Sequence, residues 1–347
     1  MSAATADPQP LELPSGQTRF VDLVLRARTF GIVVVLAIVV FGTAAVQSRF
    51  LDSSSIQFIL ADATIFAVIA VGEAMVIITR NVDLSVGSVV GLSAFLSAST
   101  FQHIPGIPIF AVFFVGLAIG AGCGLVTGLV SAIGRIPSLV VTLAMLYIIR
   151  AVDILIVGGS QVTTGQVPRG FLAIFTDSLL GIPDIAIGAA VLVAIAYYYM
   201  RSFRSGRDLY AIGSDPEAAR RAGVPIAKRV VTAFVISGAL AGLGGVLYAV
   251  QIGTIDSTAG TGYELQVIAA VVVGGVAIFG GSGNVVGAAL GALLLGTITS
   301  ALYVLGINQD WDEALQGALL LLAISLDRGI QAQLANALRR RRVRLGA

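Results

Sequence analysis

Cysteine, histidine and lysine each occur once in this 347-residue chain, as Cys123, His103 and Lys228. A single cysteine leaves no intramolecular disulfide, and a lone histidine beside it argues against any cysteine–histidine metal site. His103 lies near Pro105 in a short connection, with no Ser-His-Asp set around it, so enzymatic chemistry is not expected. A phosphate-binding P-loop requires Gly-x-x-x-x-Gly-Lys-Ser/Thr. Lys228 stands between Ala227 and Arg229, so the chain carries no such motif and cannot be a P-loop ATPase by itself.

Charge is scarce too. Charged residues make up 12% of the chain and hydrophobic ones 57%, whereas a soluble domain carries about 25% charged residues. The apolar residues come in runs, among them Phe30 to Val46, Ile107 to Ile133 and Val230 to Val250. Each is roughly as long as a helix needs to cross about 30 Å of hydrocarbon. The 41 glycines, many inside these runs, suit close packing between membrane helices. The expected fold is an all-α polytopic membrane protein in a lipid bilayer, with no role in nucleic-acid binding. About 28 mostly polar residues precede the first run, which is too long for a signal h-region. No cleavable signal peptide is expected.

Ten apolar segments can be drawn, at 30–48, 56–79, 84–101, 108–133, 138–158, 182–200, 230–250, 265–279, 286–306 and 313–327. The third, eighth and ninth are short or broken by Gly and Ser, as discontinuous helices are. With the N-terminus inside, every basic residue except Arg49, Arg150 and Arg169 falls on the cytoplasmic side, as the positive-inside rule demands. Dropping an early helix would destroy that asymmetry. The reading is therefore about ten spans with both ends cytoplasmic. It comprises a tail over 1–29, a transmembrane domain over 30–327 with an inner loop at 201–229, and a basic tail over 328–347. The longest outer loop, 159–181, is expected to hold a short interfacial helix from Phe171 to Leu180. Gly87-Ser-Val-Val-Gly91 is echoed weakly by Gly283-Asn-Val-Val-Gly287, each opening an apolar segment after a polar break.

Inside the loop 201–229, Ser214, Asp215, Pro216, Glu217, Ala218, Ala219, Arg220, Arg221 and Gly223 spell a short helix. Ser214 with Glu217 fits a capping box, Pro216 suits the first turn, and Gly223 suits the position past the end. Such a helix is too short to span and is shaped either to dock into a groove on a partner or to serve as a capped linker. Polar groups also fall in or between apolar segments. Glu73 lies deep in the second; Asn81, Asp83 and Ser85 follow it; Arg150 and Asp153 share a helical face in the fifth. Ionised groups near mid-bilayer face protein or water, so these are candidates for a polar path. Structural roles compete: a cap by Asp83 and Ser85, an Arg80–Asp83 pair, or a pair of Arg150 with Glu73 or Asp153. Asp256, Thr261, Tyr263 and Glu264, outside by this topology, are candidates for the outer mouth or an ordinary polar loop.

Several motifs together resemble the ribose-type sugar ABC permeases, in the branch that includes autoinducer-2 and rhamnose importers. Val76-Ile-Ile-Thr-Arg-Asn-Val-Asp-Leu-Ser-Val-Gly-Ser88 is similar to that family's hallmark. Gly206 to Val224 resembles its cytoplasmic coupling segment, and Gly260-Thr-Gly262 through Val273-Gly-Gly-Val276 to Phe279-Gly-Gly-Ser-Gly283 its C-terminal signature. The likeness covers about residues 50–330. It implies a permease subunit in a bacterial inner membrane, moving a small sugar or sugar-like solute by alternating access. It further implies a second permease copy or a paralogue, a cytoplasmic ABC ATPase using ATP and Mg2+, and an extracytoplasmic solute-binding protein. The chain itself would bind no cofactor, and the helix around Ser214 to Arg221 would enter the ATPase. Glu73 departs from the family's usual neutral residue. The alternative is an ion-coupled secondary transporter using Glu73 or Asp83.

Overall fold

The computed structural model describes residues 15–134, 136–308 and 310–325, with side chains from residue 30 onward. The basic tail at 328–347 and Arg135 lie outside the described residues. Helix α1 spans Ser15–Val46, α2 Ser53–Ile78, α3 Val86–His103 and α4 Ile109–Gly134. Then come α5 (Ser138–Val157), α6 (Arg169–Thr176) and a two-residue hairpin of β1 (Ser178–Leu179) and β2 (Ile182–Pro183). Helices α7 (Asp184–Ser202), α8 (Arg204–Ser214), α9 (Pro216–Arg221) and α10 (Ile226–Ile252) follow. Last are α11 (Tyr263–Val273), α12 (Val285–Val304) and α13 (residues 310–325).

Among the described residues, α2, α4, α5, α7, α10 and α12 are long and apolar enough to cross a membrane. The apolar part of α1, Phe30–Val46, and α11 are shorter. The fold is thus an all-α membrane protein, with apolar side chains such as Phe114, Tyr147, Leu155 and Ile195 turned outward from the bundle. Such an exterior suits lipid. Helix α1 begins at Ser15, inside the stretch assigned to the N-terminal tail. The third segment is an unbroken helix, α3, and the ninth is likewise continuous as α12. The eighth is the discontinuous one. It stops at Val273, where Gly274 and Gly275 follow, the latter at φ +87°, a conformation that glycine adopts without strain.

Helix α2 is the hub. It is almost wholly buried within the chain, packed on α7, α10, α11 and α12. Helix α10 meets α2, α3 and α4. Its face against α4 is a glycine seam: Gly116, Gly120 and Gly124 of α4 lie so close to α10 that a Cβ on any of them would overlap Gly238, Gly242, Val246 or the Phe234 carbonyl. Backbones approaching this closely gain dispersion along their whole length. The glycines are packing spacers here, as their composition suggested.

At one end of the bundle, α8 stands beside the C-terminus of α2 and the turn before α12, and α9 follows it, packed on α8 and α10. At the other end lie α6 and the hairpin, where Gln57 donates to the Gly181 carbonyl at 3.2 Å. The outer-loop helix ends at Thr176, not Leu180. Leu180 and Gly181 have positive φ (+54° and +82°) and turn the hairpin instead. Phe171 of α6 is fully buried against Phe101 and Phe113. An antiparallel bridge between Val162 and Ile255 fastens the loop to the stretch after α10.

Candidate functional site

The residues between α8 and α10 form a largely exposed polar element. Asp215 is extended (φ −154°, ψ 101°), and one carboxylate oxygen accepts the N–H groups of Glu217 and Ala218, each at 3.0 Å. Pro216 opens α9, and Gly223 follows its end at φ +76°. The N-cap is therefore Asp215 and not Ser214. Ser214 is the last residue of α8, so its backbone is already helical and cannot take the extended cap geometry. The expected Ser214–Glu217 capping box is corrected accordingly. Ala219 is buried, while Glu217, Ala218, Arg220 and Arg221 face outward. Arg229 at the start of α10 forms an ion pair with Asp208 of α8 at 2.8 Å, holding the base of the segment rigid.

Between α2 and α3 the chain breaks, and buried polar groups bind the break together. Glu73, fully buried, accepts the Asp83 N–H through Oε1 at 3.0 Å. Asp83 accepts the N–H of Ser85 at 2.9 Å and also its hydroxyl. Asn81 donates to Thr79 Oγ1 at 2.9 Å, and the Val82 N–H donates to Ser138 of α5 at 3.3 Å. Ser85 precedes α3 but caps it only through backbone, since its side chain makes no capping bond. Arg80 does not pair with Asp83. Its guanidinium turns the other way, to the carbonyls of Gly213 and Ser214 at the end of α8. Glu73 likewise does not pair with Arg150.

Arg150 and Asp153 do meet, at 3.8 Å. Arg150 donates to the Ala259 carbonyl at 2.6 Å. The stretch after α10 is folded in against α3, because Gly87 and Gly91 leave no room for a Cβ against Glu264, Gly260 and Ala259. So Glu264 is half-buried beside Gly87, and Tyr263 packs on the Phe66 ring at 4.6 Å. Asp256 and Thr261 remain exposed. The Thr258 hydroxyl and N–H both donate to Asp256 (2.6 and 2.8 Å) and hold its carboxyl below the usual carboxylate range. The structure thus brings Arg150, Asp153 and Glu264 to α3, while Glu73, Asn81, Asp83 and Ser85 form a separate group at the break.

One polar feature escaped the sequence reading. A recess of about 570 Å³ opens between the start of α2 and the end of α12, lined by Phe50, Phe58, Asp62, Thr299, Ser300 and Tyr303. Asp62 accepts the Gln251 amide at 2.7 Å, and Thr299 donates to Asp312 at 2.9 Å. The signal was present: Asp62 interrupts the same apolar run as Glu73. Among the described residues no group of three His, Cys, Asp or Glu side chains is placed to hold a metal ion.

Six helices long and apolar enough to span, packed around buried polar groups and outwardly apolar, make this a multi-pass membrane protein. Residues 55–324 match the family described as branched-chain amino acid transport system / permease component, and the chain belongs to that family. It is 33% identical over 300 residues to the ribose import permease protein RbsC of Escherichia coli K12, covering 85% of this chain and 92% of that one. It is 34% identical over 283 residues to the autoinducer 2 import system permease protein LsrC of Enterobacter sp. strain 638, covering 82% and 81%. The Haemophilus influenzae RbsC is 32% identical over 305 residues, covering 87% and 93%. No solved structure matches the chain.

Proposed function

We propose that this chain is the membrane-spanning subunit of an ATP-driven importer for a small sugar or sugar-like solute in a bacterial inner membrane. The named relatives import ribose and autoinducer 2, and the family match supports the class. A separate cytoplasmic ATPase supplies ATP and Mg2+ chemistry, an extracytoplasmic binding protein delivers the solute, and a second permease copy or paralogue completes the pathway. The ten-span topology keeps both ends cytoplasmic and puts α8 and α9 inside. Alternating access then follows from switching which end of the bundle is open.

The observation that carries this reading is α9 itself: six residues, fully capped, outward-facing and anchored at its base. That geometry suits insertion into a partner's groove. The test is direct. Glu217 and Arg220 are exposed and 3.9 Å apart, and such surface pairs contribute little to stability. Replacing both with alanine leaves the fold intact and lowers ATPase co-purification; undiminished co-purification would refute the docking role.

On the outer side, the recess joins a carboxylate and hydroxyls to the rings of Phe58 and Tyr303. Those groups suit a hydroxylated solute, whose hydroxyls hydrogen-bond while its C–H face lies on a ring. The ion-coupled alternative draws less support, because Glu73 and Asp83 are both engaged in holding backbone N–H groups.

A further inference from the structure

We propose that Arg80 is the positioning residue that carries movement of the docking segment into the membrane-spanning core. This rests on α9 as the ATPase contact and adds the route inward from it.

Three stretches far apart in sequence meet where α8 ends. Arg80 closes the turn after α2 at φ +67°, a region that residues other than glycine seldom occupy. From that backbone its guanidinium donates through Nε to the Gly213 carbonyl and through Nη2 to the Ser214 carbonyl, the latter at 2.7 Å. These are terminal carbonyls of α8, which lack partners within the helix. A cation there also complements the helix dipole. The turn before α12 closes the junction from the other side. The Gly281 N–H donates to the Ile78 carbonyl at 2.9 Å, and the Tyr210 hydroxyl donates to the Gly283 carbonyl at 3.1 Å. Burial pushes the Tyr210 phenol up to about 12, so it retains the proton it donates.

The junction has no slack. A Cβ on Gly213 would overlap the Ile78 carbonyl and the Gly281 nitrogen, and one on Gly280 would overlap Arg80. Asp215 alone separates α8 from α9, so a displacement of α9 arrives at Arg80 almost undamped. Immediately beyond Arg80 lies the break held by Glu73, Asp83 and Ser138. Arg80 therefore joins the docking segment to the place where α2 gives way to α3, and the glycine turn joins it to the start of α12.

The test uses the whole permease–ATPase complex in a Cys123→Ser background, with Val82→Cys as reporter in the break and N-ethylmaleimide as probe. Labelling rates are compared without nucleotide and after trapping with ATP and vanadate. With Arg80 present, the rates should differ about tenfold, within the range usual for coupled sites. Arg80→Gln should reduce the difference to less than about twofold while the ATPase stays bound and hydrolyses ATP. Arg80→Lys, which keeps the charge but not the planar fork that reaches both carbonyls, should restore part of it. A role confined to capping α8 would shift thermal stability and move both labelling rates together. That result would overturn the proposal, as would a full nucleotide response in Arg80→Gln or none in the parent. Failure of the docking reading looks different: the ATPase would remain bound to the Glu217→Ala/Arg220→Ala chain, with the Val82→Cys response intact.

Discussion

Replacing Glu73 separates a structural carboxyl from one that carries protons. Its Oε1 accepts the buried Asp83 N–H at 3.0 Å, and its Oε2 has no hydrogen-bond partner among the described residues. Glu73→Gln keeps the acceptor for the Asp83 N–H, so the break survives, with a smaller loss from the buried amide nitrogen than truncation causes. Glu73→Ala strands the Asp83 N–H. An orphaned buried donor costs about 1–3 kcal/mol, and truncating a fully buried side chain adds a cavity. A loss of about 3 kcal/mol corresponds to a fall in melting temperature on the order of 5 °C for a chain of this size. Thermal unfolding of the purified permease measures the stability, and ATP-driven uptake in reconstituted vesicles measures function. Glu73→Gln should retain most of both, and Glu73→Ala should melt on the order of 5 °C lower and lose most of its uptake. A folded Glu73→Gln protein with no uptake would refute the reasoning, since the amide keeps the acceptor for the Asp83 N–H but cannot exchange a proton as a carboxyl can.

Three further outcomes follow from the same structure. Gly120→Val drives a side chain into the α10 backbone at Gly238 and should destabilise the fold by about 1–3 kcal/mol; Gly122→Val, which points into open space, should be neutral in the same melting experiment. Asp215→Ala removes the cap of α9, worth about 1 kcal/mol, and should weaken ATPase binding roughly fivefold, with Asp215→Asn near the parent in a pull-down titration. Asp62→Ala, which removes the carboxylate from the recess and leaves its hydroxyls, should raise the KM of uptake about tenfold, as loss of a hydrogen bond to a charged group does, without changing ATPase co-purification.

How legible these features were depended on the range of the interactions that make them. Local chemistry read well. Pro216 and Gly223 bracket α9 because first-turn proline and post-helix glycine act within a few residues. The glycine seam was announced by composition, since small residues inside apolar runs have few uses other than close packing. The cap was misplaced by one residue because Ser214 and Asp215 are both good caps. Only the helicity of α8 up to Ser214 decides between them. The partner of Arg80 was illegible for another reason. Asp83 lies three residues away, whereas Gly213 and Ser214 become neighbours only when α2 and α8 pack end to end. Glu73 found a backbone N–H across the break, a partner that side-chain charge gives no hint of. Asp62 sat in view within an apolar run, but the recess needs α12 brought against α2.

On the proposed function, force enters this membrane protein from a nucleotide-hydrolysing partner through α9. Uptake of radiolabelled ribose, the solute named for the Escherichia coli relative, in vesicles holding the permease with its proposed ATPase and binding protein separates this from an ion-driven carrier. Uptake should stop when ATP is depleted with the proton gradient maintained, and continue when the gradient is collapsed with ATP present. Uptake that persists without ATP and fails without the gradient would contradict it.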